Sequence, residues 1–551
     1  MKRKKITAIL LASLMAASMA PQTAWAADSY KETEKAAFAK AIEEMCTEYA
    51  ADLSQLDTEK VQGNAKITLN LDDGGKAIAG MLSPVDISWL DQASLDTNVV
   101  VSDTTLTEFM DVDVNGTKIC TVEYYMDTVN SVIYMRIPEL NDGYIKMDLL
   151  QLTEDAEEEI ENDSSFSTSM DISEAMSSYF STLDNLPAAD IVQTILTRYS
   201  DIFFDNVADA ENPGTQDAAA GDVHQELNVL EGHVTQKEAI PMLQQILDAV
   251  KEDEELKGLI ESWTEVLNDP QYTYDTFLDA LTELRDEVDV NIDDTDESGF
   301  ILRAWVDGDG EVVGRQILMD EGNGEENLVS YLATTDGDKR GFTLQLSADS
   351  ESFALEGSGE MNGDLLSGTY TVLADGETIA QIDVTDYDTK ATQEGNWNGT
   401  YTFSGVPEVA EDGSTYDPFG GMQLVFTTAG KDADNVDWNL ALVSSGVSLG
   451  SVSLTGNNEG EALETADIAS LTDVYDFSVD DDVENYVSSM DLTTITDSLT
   501  SAGMPEGWLD SVMEAMDGAG DTQIDTEEGI TEDQTDMAGD TLEEDAETPA
   551  A

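Results

Sequence analysis

His224 and His233 are the only imidazoles in this 551-residue chain, and their spacing restricts the chemistry open to them. Nine residues separate them, which fits neither a helical metal pair nor a zinc-finger arrangement. They bracket a short strand pattern and read as surface or hairpin residues. The stretch Gly446-Val447-Ser448-Leu449-Gly450 matches the nucleophile elbow G-x-S-x-G. That elbow needs a strand before the serine, a helix after it and a histidine later in the chain. Here Ser451 to Leu454 continues as strand and no histidine follows His233, so the two glycines are expected to relieve a hairpin.

Carboxylates are abundant, with 116 Asp and Glu against 24 Lys and Arg. Two of them could hydrolyse a glycosidic bond, but their abundance makes any single pair uninformative. Asp307 and Asp309 are spaced like the first ligands of a calcium loop, without its later Gly and Glu. Asp293, Asp294 and Asp296 form a denser run. Weak calcium binding at extracellular concentrations is one expectation for these five acids, and solvated loops are the other. No P-loop or dinucleotide fingerprint occurs, so no cofactor is implied. Cys46 and Cys120 are the only cysteines. In an oxidising compartment they could close a loop of about 75 residues worth roughly 4 kcal/mol; otherwise they are two buried thiols. The Asn-Gly steps of the glycosylation sequons at Asn115 and Asn398 read better as hairpin turns.

Elements that would position such residues follow from periodicity. Ser29 to Leu56 reads as one helix, its apolar stripe made of Phe38, Ile42, Met45, Tyr49 and Leu53. From Val61 to Leu149 the period is two, which predicts about six antiparallel strands with the best hairpin signal at Asn115-Gly116. Gln151 to Thr168 reads as a loop and Ile172 to Leu183 as a helix. Pro187 stands where the next helix starts, and residues 208–222 read as a linker. A strand at Leu227 to Val234 then enters three helices, with Asn268-Asp269-Pro270 breaking the chain before the third. From Phe300 to Val479 turn signals recur every 8–12 residues, as in antiparallel meanders. The expected division is 1–26, 27–150 (helix plus strands), 151–290 (mostly helical), 291–480 (β-rich) and 481–516 (short helices). Residues 517–551 hold thirteen acids and no Lys or Arg, the composition of a disordered tail.

The start of the chain sets its location. Lys2, Arg3, Lys4 and Lys5 precede an apolar stretch from Ile6 to about Ala20, and Ala24-Trp25-Ala26 has the small-x-small pattern read by signal peptidase. Export with cleavage after Ala26 is expected; an uncut signal acting as an anchor is the rival. No later stretch reaches the roughly 18 apolar residues of a membrane span. The formal charge of -92 repels phosphate backbones and anionic lipid heads, which excludes nucleic acid as a partner and electrostatic docking to an anionic membrane.

Two stretches carry a family resemblance: Val112 to Leu149, with its strand end Tyr134-Met135-Arg136-Ile137-Pro138, and Leu227 to Leu259 followed by Phe300 to Met319. On these the chain resembles uncharacterised exported proteins and lipoproteins of gut Firmicutes, which are similar to the LolA/LppX/LprG envelope carriers. The resemblance implies a curved, incomplete antiparallel barrel over helices, with acyl chains held in its concavity. This chain is more than twice as long, lacks the lipobox cysteine and is far more acidic. The fold expected is α+β, a large antiparallel curved sheet or half-barrel packed on helices. The function expected is a secreted, non-enzymatic envelope binding protein with an apolar or lipid ligand. A structural or interaction protein without a small ligand, and a carboxylate-based hydrolase, are the alternatives. Of 20 methionines, all but Met1, Met15 and Met19 lie beyond the signal and could line such a groove adaptably.

Overall fold

The computed structural model describes residues 22–23, 29–148 and 186–512, apart from 57–59, 84, 103–104, 128, 268–272, 290–297, 321–323, 349–350, 394–395, 410–414, 418, 431–434 and 459–467. Outside the described residues lie Ala24 and Ala26, the loop and helix expected over 151–183, the break at Asn268-Asp269-Pro270, Asp293, Asp294, Asp296 and the acidic tail.

Helix α1 (Tyr30–Leu56) precedes strand β1 (Lys60–Leu71), helix α2 (Asp73–Leu82), β2 (Gln92–Ser102), β3 (Thr105–Val114), β4 (Thr117–Asp127), β5 (Val132–Arg136) and β6 (Tyr144–Asp148). Helix α3 (Ala189–Asp205) leads into the hairpin β7 (Gly214–Ala220) and β8 (Val223–Thr235), then α4 (Gln236–Glu252), α5 (Glu254–Leu267) and α6 (Tyr274–Asp289). A meander follows: β9 (Gly299–Val306), β10 (Glu311–Asp320), β11 (Glu325–Asp336), β12 (Lys339–Ala348), β13 (Glu351–Asn362), β14 (Leu365–Ala374) and β15 (Glu377–Asp388). After the short α7 (Thr389–Gln393) it continues through β16 (Gly399–Gly405), β17 (Met422–Thr428), β18 (Asn435–Ser444) and β19 (Val447–Asn457). Strand β20 (Val474–Asp476) and helices α8 (Asp480–Ser489) and α9 (Thr493–Ser501) follow.

With the two-residue strands Gln22–Thr23 and Ala208–Asp209, these strands form one open, curved, 22-stranded sheet, mostly antiparallel, so the fold is α+β. The N-terminal and C-terminal β segments are not separate units. Asn64 to Leu71 of β1 pair with Asn457 to Gly450 of β19 and weld the two into a single ladder. Its order is β20, β6, β5, β4, β3, β2, β1, then β19 back through β7. The turns explain the meander. Asn115-Gly116, Asp375-Gly376 and Ser445-Gly446 each carry positive φ at both residues, the twist that matches paired strands.

The main core lies where α1 and α3 cover β8 to β11. Tyr30, Phe38, Phe204, Leu230, Leu302 and Val329 are buried there together, with Phe38 and Phe204 in edge contact at 4.9 Å. Helix α4 docks beside them, its start fixed by a capping box between Thr235 and Glu238.

Four expectations need correction. Residues 208–222 are not a linker: Gly214 to Ala220 pair with Val229 to Val223 as β7, because small side chains let the hairpin tip pack against Gly341 and Gly357. Helix α2 was hidden by Gly74, Gly75 and Gly80; a Cβ at Gly75 would collide with the backbone of Leu449, so glycine is what lets the helix cross the end of β19. On α1 the buried stripe is Tyr30, Thr33, Glu34, Ala37, Phe38, Ala41, Ile42 and Cys46, while Met45 is exposed. The last strand, β20, pairs with β6 in parallel.

That parallel joint carries a pH dependence. Lys146 donates to the Asp476 carboxylate at 2.8 Å. This bond, helped by Ser478, holds the Asp476 carboxyl below its usual range. The stabilisation is present above the unfolded pKa of about 3.9 and is lost as pH falls below it. Lys146→Met is expected to lower Tm at pH 7, with the gap to wild type narrowing below about pH 4, as read by thermal denaturation across pH.

Candidate functional site

Period-two alternation puts one chemistry on each face of the middle of the sheet. In β14, Leu366, Tyr370 and Val372 alternate with Ser367, Thr369 and Thr371. The register carries that alternation from strand to strand. Tyr370 stands opposite Ile382, which faces Phe403, then Leu424, then Leu442. A neighbouring row runs Tyr401, Phe426, Leu440, Val452 and Leu69. The rows that point the other way hold Thr371, Gln381, Ser404 and Gln423.

No residue of β13 to β18 is buried, on either face. Among the described residues the apolar side chains stand out from the sheet only partly covered: Phe403 and Leu424 are each 40% exposed, and Ile67 is 46% exposed. Tyr387, Tyr401, Phe426 and Trp438 form a chain of ring contacts at 6.4, 6.1 and 6.1 Å. From β12 to β1 the face extends roughly 40 Å across the strands at about 4.8 Å per strand. Antiparallel sheets ordinarily cover their apolar face, and contiguous exposed apolar surface of this extent marks a binding surface.

The same face is covered at both ends. At one end it meets α1 and α3. At the other, Leu106, Tyr124, Met126, Ile133 and Met147 close into a small cluster, and Tyr486 of α8 packs on Tyr475 at 5.4 Å. Glu108 lies at this second boundary, in β3, directly opposite Val99 on one side and Tyr124 on the other. Burial pushes its carboxyl above the usual range, and it has no hydrogen bond or ion pair among the described residues. Four other shielded acids have an arginine. Glu34 binds Arg315, Asp253 binds Arg198, Glu123 binds Arg136 and Glu231 binds Arg303.

The Glu34 and Arg315 pair anchors α1 to the sheet. Arg315 Nε donates to both Glu34 oxygens at 3.0 and 2.9 Å, and its guanidinium also reaches the Tyr331 hydroxyl. Burial pushes the Glu34 carboxyl up while the guanidinium opposes that push. A second polar cluster lines a shallow cleft of about 480 Å³ with Arg198, Glu252, Asp253, Glu254 and Glu255. There Asp253 accepts from Arg198 and from the Tyr199 hydroxyl.

The residues singled out from sequence do not converge. His224 contacts Asp217 at 3.2 Å and His233 contacts Glu231 at 3.0 Å, at opposite ends of β8. Ser448 lies in β19, with no helix after it. Asp307 uses its carboxylate to accept the backbone N–H groups of Asp309 and Glu311, so both acids shape a turn. Among the described residues no group of three His, Cys, Asp or Glu could hold a metal ion. Cys46 and Cys120 are free thiols rather than a disulfide. Cys46 is buried in α1 and Cys120 half-buried in β4, and burial pushes both thiols up. Asn115 is a hairpin turn residue whose amide also ties Trp89 and Ala502. Asn398 is not; it precedes β16 and donates to the Gly430 carbonyl. Sequence reasoning missed Glu108 and Glu34, although each breaks an apolar period in plain view: Glu108 before Met110, Val112 and Val114, and Glu34 between Tyr30 and Phe38. Among the described residues no helix is long and apolar enough to cross a membrane. No protein-family model and no curated protein matches the chain.

Proposed function

We propose that this is an exported, non-enzymatic binding protein of the cell envelope that holds an apolar ligand, of acyl-chain type, on the uncovered face of its sheet. The observation that carries this reading is the uninterrupted row of Phe403, Leu424 and Leu442, exposed in strands that bury nothing on either face. Full burial of such a side chain contributes about 1.5–3 kcal/mol, so covering the roughly 40% still exposed contributes about 1 kcal/mol each, and an acyl chain crossing several strands sums several such contributions. The basic and apolar start of the chain with Ala24-Trp25-Ala26 supports export. The commitment of Glu34, Asp253, Glu123 and Glu231 to arginine partners supports a binding role over carboxylate hydrolysis.

Native mass spectrometry of gently purified protein, with organic extraction of the same sample, tests the reading. Adduct masses in the acyl-lipid range, removed by extraction, are expected. A clean apo mass that stays clean after incubation with long-chain amphiphiles overturns it. A dimer free of small adducts would do the same and assign the face to a second copy.

A further inference from the structure

Building on that reading, we propose that the ligand is an amphiphile with a cationic amine head, and that Glu108 receives this head where the open face ends. Three observations converge. First, the apolar rows from Tyr370 to Leu442 and from Tyr401 to Leu69 contain no charged residue. Glu108, two strands beyond β1, is an acid on that same face; through Val99 it is in register with Gly63, six residues along β1 from Leu69. Second, it is half-buried with no bonded partner among the described residues, unlike the arginine-held acids Glu34, Asp253, Glu123 and Glu231. An ionised carboxylate in partly apolar surroundings gains most from a counter-charge, and the described residues place none beside it. Third, the strand ends that rim the face are acidic, as at Asp336, Asp338, Asp364 and Asp375, on a chain of formal charge -92. An anionic head is repelled there and a cationic head attracted.

The arrangement places the two halves of such a ligand. Its chain lies obliquely across the strands on Met110, Ala65 and Ile67. Its head stops at Glu108, beyond which Met126 and Ile133 close the face. An ammonium group supplies both the charge and the donors that a carboxylate accepts.

Isothermal titration of the full-length, delipidated protein with dodecylamine, dodecanoate and dodecyl maltoside, each below its micelle concentration, tests this in 150 mM salt. Dodecylamine is expected to bind at least about tenfold more tightly than dodecanoate. Glu108→Gln should cut dodecylamine affinity by about tenfold and leave dodecyl maltoside unchanged. One charge among 116 acids does not alter the general attraction of the surface for cations, so a loss of that size is local. The variant removes an unpaired charge, so its Tm should match or exceed wild type, and Glu108→Leu gives the same contrast in a second background. Equal dodecylamine affinity in wild type and Glu108→Gln overturns the inference, as does dodecanoate binding as tightly as the amine. If maltoside binds and the amine shows no preference, the apolar-ligand reading stands and only the head-group assignment falls. If none of the three binds, both fall.

Discussion

Glu34→Ala should be the most destabilising single substitution on α1. The residue is fully buried and accepts both bonds of Arg315 Nε. Removing one partner of such a pair leaves the other charge without compensation, at a cost of about 3–5 kcal/mol. A domain's total stability is only about 5–15 kcal/mol, so the loss is a large fraction of the whole. Urea denaturation should show the midpoint falling at constant slope. Removing both charges by the double substitution Glu34→Met with Arg315→Met should recover most of the loss, since apolar residues of similar volume can replace a buried pair without penalty. If Glu34→Ala costs no more than Met45→Ala, at an exposed position on the same helix, the anchoring role is wrong. The consequence reaches the binding face. Arg315 and Tyr331 stand on the sheet surface that α1 covers, and this pair fixes where cover stops and open surface begins.

What could be read in advance was local. Period-two alternation and the Asn115-Gly116 step gave strands and a hairpin, because both signals act between neighbours in sequence. The helices after Thr235 were legible for the same reason. The join of β1 to β19 was not, since pairing between Ile67 and Leu454 depends on register across the fold and leaves no local trace. Nor was α2, where Gly74 and Gly75 serve a close approach to Leu449 and lower helix propensity while doing so. Residues 208–222 misled by composition. Ala218, Ala219 and Ala220 look like spacer, yet small side chains are what a hairpin lying against Gly341 requires. The open face itself was half visible. Each strand showed its apolar side, but only the full register shows that the apolar sides of β12 to β19 and β1 join. Whether a helix covers them is a tertiary fact that no strand pattern encodes.

That distinction between an open and a filled face yields the second large effect, from Leu424→Asp. Leu424 sits in the middle of the apolar row, between Phe403 and Leu442. In a filled core a buried aspartate at this place would cost as much as a large cavity or an unpaired charge, about 3 kcal/mol or more. On an open face the leucine is already 40% exposed, and the aspartate keeps its water. Unfolding free energy should therefore change by less than about 1 kcal/mol. Ligand affinity should fall far more. The variant loses the roughly 1 kcal/mol that covering the exposed part of the leucine provides and must also strip water from a carboxylate, so a drop of at least about tenfold is expected. Gln423→Asp on the opposite, polar face, where Ser404 and Val443 are its cross-strand neighbours, is the control and should leave both quantities near wild type. Parallel urea denaturation and titration with dodecyl maltoside read the two effects on the same protein. Stability lost together with binding would mean that the face is core. Binding lost with stability kept is the signature of a surface that waits for its ligand, and a variant that keeps both would remove this face as the site.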